Sequence, residues 1–237
     1  MSKQLRGSLY YLFANLRHSL IIFWIILASL LLVTIVSAIL IPDSVISFSL
    51  WGPIYAFAAV IGYWVVKNAL PFLIKLGSTR KNLYVSVGLY AIGLSLLNAV
   101  IANTLSSIVT LFIGKERDVG SIILTDDGST MTFNHVGEFL GENTWLMRVF
   151  IDTSISFFLL AAMFIIGLIF YRFGIVGGFS FLGALVLLFI LGLSKGWLLD
   201  FFISIFNNFS FAFFYQLLLT GIVIYLLSFL LLRRITI

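Results

Sequence analysis

Apolar runs of about twenty residues or more recur along nearly the whole chain. A helix needs a run of that length to cross a hydrocarbon layer about 30 Å thick at 1.5 Å per residue. Six candidate spans read as 20–41, 51–74, 83–113, 149–171, 179–199 and 212–232. The first covers about 33 Å, while the third is longer and must tilt or project from the membrane. Hydrophobic residues make up 62% of the 237 positions and charged residues 10%, where a soluble domain carries roughly 25% charged. No stretch is left over for a soluble domain. The chain reads as an all-α integral membrane protein of six transmembrane helices.

Charge placement orients the spans. With the N-terminus in the cytoplasm, Lys3, Arg6, Arg17, Lys75, Arg80, Lys81, Arg172, Arg233 and Arg234 all fall inside, and no carboxylate joins them. Lys115, Arg117, Arg148 and Lys195 fall outside, and the acidic residues lie outside or near an outer span end. This lysine and arginine bias predicts both termini in the cytoplasm, the spans crossing the plasma membrane. The net charge of +5 therefore reports orientation, and nucleic acid is not an expected partner. Ahead of the first span, Leu5, Leu9, Leu12, Phe13 and Leu16 recur at helical spacing among Lys3, Arg6 and Arg17. Residues 1–19 are expected to form an amphipathic helix in the inner interface. The first span is too long for a signal-peptide core and no Ala-x-Ala site follows it before Pro42, so it is expected to stay as an anchor.

No phosphate-binding Gly-x4-Gly-Lys-Ser/Thr loop, His-Glu-x-x-His helix or Gly-x-Ser-x-Gly elbow occurs. The chain is expected to be non-catalytic, with no cofactor of its own. Cysteine is absent, and the two histidines, His18 and His135, fall on opposite sides of the membrane, so a shared histidine metal site is not expected. The outer segment 114–148 holds Glu116, Asp118, Asp126, Asp127, Glu138 and Glu142, with two β-prone runs about Asp127-Gly128. It reads as an acidic lid containing a hairpin.

The most informative stretch joins spans two and three. Apolar helix passes through Gly77, Ser78 and Thr79 into Arg80 and Lys81 and then resumes. Glycine permits the tight turn, Ser78 or Thr79 caps the next helix, and the cations form a basic knuckle. An ordinary positive-inside loop accounts for the same spacing. The run Pro71-Phe72, four residues, Gly77, two residues, Arg80-Lys81 resembles the elbow of export-type permease subunits of ABC transporters with the type V fold. Members of that family are similar in their basic N-terminal helix, six spans, cytoplasmic ends and a last span closing in arginines, as Arg233 and Arg234 do here. One departure is the long outer loop between spans three and four, where many members enlarge the loop between spans five and six.

The resemblance implies that Lys75, Leu76, Gly77, Ser78, Thr79, Arg80, Lys81 and Asn82 form the segment that docks on a separate ATPase. Two such ATPases, carrying ATP and Mg, would drive a pair of permease halves, the second identical or a sister chain. The expected activity is export of an amphipathic or hydrophobic peptide, antibiotic or lipid-like molecule by alternating access.

Three further patterns bear on such a pathway. Ala91, Ser95, Ala99, Asn103 and Ser107 recur every fourth position, a ladder that permits close helix approach. It serves packing within one half or a seam between two, and Asn103, its one amide, is also a candidate pathway or gate residue. Lys67 and Asn68 interrupt the second span one turn before Pro71, where an ionisable group marks a functional site or snorkels to the inner headgroups. Across 200–215 phenylalanine is dense, with Phe206, Phe209 and Phe213 the candidate gate or, equally, an interfacial anchor. The competing function is a stand-alone immunity or sensor protein that binds cationic extracellular peptides through the acidic loop.

Overall fold

A chain of this composition has one way to satisfy its backbone away from water, which is to pair every N–H and C=O within helices. The structure, a computed structural model, describes residues 3–40, 50–113, 122–126, 129–133, 144–207 and 210–233. In order come α1 (Lys3–Leu40), α2 (Trp51–Trp64), a π-helical turn (Val65–Ala69), α3 (Leu70–Lys75), α4 (Arg80–Ile113), α5 (Trp145–Ser194), α6 (Trp197–Asn207) and α7 (Phe211–Arg233). Between α4 and α5, β1 (Ile122–Asp126) and β2 (Ser129–Phe133) pair antiparallel, with Ile122 opposite Phe133. Residues 127–128, the expected hairpin tip, lie outside the described residues, as do most of the acidic loop and His135.

Among the described residues, five helical stretches are long and apolar enough to cross a membrane: α1, α2 through α3, α4, α5 and α7. The central helix is α5, which packs against α2, α4 and α7, while α1 lies along α4. Small residues let these axes close. A Cβ on Gly62 would collide with the backbone carbonyl oxygen of Leu160, and one on Gly221 would lie 3.2 Å from Cα of Phe158. Close approach of this kind replaces the hydrophobic driving force that lipid removes. Tyr84 and Tyr225 tie α4 to α7 reciprocally. Each hydroxyl donates to the other residue's carbonyl oxygen at 2.6 Å, and the rings stack at 4.6 Å.

Two expectations change. The basic leader and the first span form one unbroken helix, α1, about 57 Å long, with no separation at residue 19. The leucine stripe of the leader is spent on protein. Leu12 and Leu16 are buried in one cluster with Leu70, Leu73, Leu83 and Val87, and Leu5 is buried too. The connection expected between spans four and five is a tight turn at Gly174 rather than an open loop. Residues 145–194 form one element with a kink at Gly174, whose φ of 70° and ψ of −174° only glycine adopts readily. The bend is sharp: the rings of Phe170 and Phe179 meet at 5.5 Å, although a straight helix would set them about 13.5 Å apart along its axis and on opposite faces. The stretch after Lys195 is mostly the helix α6.

Candidate functional site

Two polar assemblies stand out, about 35 Å apart along α4. At the first, α3 ends in a Schellman motif. The Ser78 amide donates to the Leu73 carbonyl at 3.1 Å, and the amide of Gly77, at φ 80°, donates to that of Ile74 at 2.9 Å. This arrangement satisfies carbonyls that a helix end otherwise leaves open. Thr79 then starts α4, its hydroxyl accepting from the Asn82 amide at 3.4 Å, the geometry of an N-cap. The elbow is thus a defined joint. The leader braces it: the hydroxyls of Ser8 and Ser78 share a 3.2 Å hydrogen bond, and the Asn82 amide donates to Gln4 Oε1 at 2.8 Å. From the opposite chain end, the Arg233 carbonyl at the close of α7 accepts from the Arg80 guanidinium. A cation on a helix C-terminus is favourable to the macrodipole. Lys75, Leu76, Thr79, Arg80 and Lys81 are exposed, Leu76 at 67%.

Lys67 and Asn68 sit in the π-helical turn, both exposed. The wider turn closes with the Leu70 amide donating to the Val65 carbonyl. It keeps the chain helical up to Pro71, whose ring supplies no amide hydrogen. Lys67 lines a cavity of about 180 Å³ with Tyr63, Gly167, Phe170 and Ile175, beside the α5 kink.

The second assembly was not singled out from sequence. Asp152 on α5 is fully buried, accepting from the Tyr55 hydroxyl of α2 and the Asn103 amide of α4, each at 2.6 Å. Three helices are therefore pinned through one carboxylate. Asn103 also donates to the Ala99 carbonyl at 2.9 Å. Further along α4, Asn98 is fully buried with neither amide atom hydrogen-bonded, and the Asn103 side-chain oxygen is likewise without a hydrogen bond. Buried amides of this kind are costly inside apolar surroundings. Asp152 read as an outer-end charge because sequence position gives depth along a helix but not the helix face.

The α4 ladder is packed within the chain. Ala91, Ser95, Ala99 and Asn103 are fully buried, and Ser107, partly exposed, donates to the Asn103 carbonyl at 2.8 Å. The aromatic stretch is only partly described: Phe209 and the side chain of Phe206 lie outside the described residues. Phe213 meets Phe214 edge-on at 5.5 Å, and Phe214 is buried. No group of three or more His, Asp or Glu that could hold a metal occurs among the described residues.

Long apolar helices, glycine-mediated contacts and internal polar pins together define a helical membrane protein. No family model, curated protein or solved structure matches the chain.

Proposed function

We propose that this chain is the membrane half of an ATP-driven exporter, six-spanning, with both ends in the cytoplasm of a bacterial cell. Two ATPase subunits would grip the elbow 75–82 of two such halves, the second identical or a sister chain. Their closure on ATP and Mg would rock the halves between inward-open and outward-open states. The cargo is an amphipathic or hydrophobic molecule, with peptides, antibiotics and lipid-like compounds in range. The chain itself performs no hydrolysis.

The observation that carries this reading is the elbow's construction. An exposed leucine flanked by cations sits on a joint capped on both sides and braced by α1 and by the end of α7. Such a joint passes a push into α4, which runs without a break to the polar centre. In a six-span arrangement the fifth span would be the arm of α5 beyond Gly174, about 30 Å long to Ser194. Its residues Ile175, Val176, Phe179 and Leu185 are exposed, a surface on which a second half can seat. The leader would be the cytoplasmic end of α1, and the acidic segment 114–148 would face the outer side.

The absence of cysteine makes a clean test. A single Leu76→Cys variant carrying a photocrosslinker is activated in the native membrane. Adducts with an ATP-binding polypeptide, lost on Gly77→Pro while the protein still accumulates, support the proposal. Adducts with lipid or with this chain alone remove it, and saturable binding of a cationic peptide by the isolated chain would then favour the sensor function.

A further inference from the structure

A groove of about 720 Å³ runs between α1 and α4, lined by Arg17, Ile21 and Ala28 on one wall and Leu97, Ile101 and Leu105 on the other. We propose that it holds one anionic phospholipid, the phosphate on Arg17 and an acyl chain between the two helices. Three observations point to that occupant. Arg17 is the one cation of the lining, which is otherwise apolar. From Arg17 to Ala28 the wall runs about 16 Å, close to half of a 30 Å hydrocarbon layer, the reach of a chain in a single leaflet.

The third observation separates lipid from a second copy. No aspartate or glutamate occurs in residues 1–42, 44–115 or 201–237. A parallel copy in the same membrane would therefore bring its own Arg17 to that level and no carboxylate to pair with it. The basic residues on that end attract an anionic leaflet, and a guanidinium matches phosphate bidentately. Alanine at 14 and 28 leaves room that a larger side chain would fill. The inference stands on the membrane fold alone and holds whether or not an ATPase drives the chain.

The full chain, purified in mild detergent, is titrated with phosphatidylglycerol, phosphatidylcholine and glycerol 3-phosphate, and bound lipid is counted by native mass spectrometry. Phosphatidylglycerol should be retained about fivefold more than phosphatidylcholine, the gain expected of one arginine near an anionic surface. Arg17→Gln should erase that preference, Arg17→Lys should keep it, and Ala28→Phe should reduce both lipids. Glycerol 3-phosphate should not bind, because the apolar groove supplies the affinity. An unchanged preference in Arg17→Gln overturns the proposal. So does a change in protomer number, with lipid retention unaltered, in Ala28→Phe, which would assign the groove to a second copy.

Discussion

At the residue scale, the buried carboxylate carries the sharpest consequences. Tyr55 and Asn103 both donate to Asp152, so Asp152→Ala strands two buried donors at about 1–3 kcal/mol each. Tyr55→Phe removes one hydrogen bond and should cost about 0.6–1.7 kcal/mol, the range for such bonds within membranes. Thermal unfolding in detergent should therefore rank the variants Asp152→Ala, then Tyr55→Phe, then wild type in rising midpoint. Equal midpoints for all three would mean that the centre does not pin the helices. At the elbow, Gly77→Val forces a branched side chain into φ 80°, a loss of about 1–2 kcal/mol. Gly77→Asn, which tolerates that region, should lose less by the same measurement. The need for glycine at 77 was legible in sequence, because the turn had to be tight and the flanking helices were strong. The Asp152 centre was not legible, since its three residues lie on helices distant in the chain.

At the element scale, glycine placement distinguishes packing from composition. Gly62→Ala drives a methyl group into the backbone of α5, an overpacking cost of about 1–3 kcal/mol. Gly183→Ala, on the exposed far arm of α5, meets no atom within 4 Å and should stabilise by about 0.5–1 kcal/mol through helix propensity. Opposite shifts in unfolding midpoint are the expected result, and two shifts of the same sign would contradict the α2–α5 contact. The apolar spacing in the leader was visible in sequence as amphipathicity. That pattern alone cannot say whether the stripe meets lipid or protein, and here Leu12 and Leu16 meet α3 and α4. At Pro71 the π-helical turn Val65–Ala69 precedes the ring, a local irregularity that apolar periodicity along the span does not show.

At the scale of the whole molecule, the number of crossings rests on what α5 does at Gly174. With the native chain free of cysteine, single substitutions can be labelled in intact cells by an impermeant maleimide. In the six-span arrangement Lys195→Cys reacts from outside, while Lys81→Cys and Arg172→Cys react only after permeabilisation. Reaction at Arg172 and Lys195 from the same side would make the α5 arms a single excursion and leave five crossings. The amino-acid sequence by itself determined that the chain is helical and membrane-bound, because runs of apolar residues with so few charges leave the backbone no other partner than itself. It also placed the elbow, whose turn depends on neighbouring residues only. Tertiary structure alone decided that α1 is one helix, that α5 bends at a single glycine and that Asp152, Tyr55 and Asn103 meet. The last depends on which faces of distant helices touch, and periodicity along one helix carries no information about the face of another.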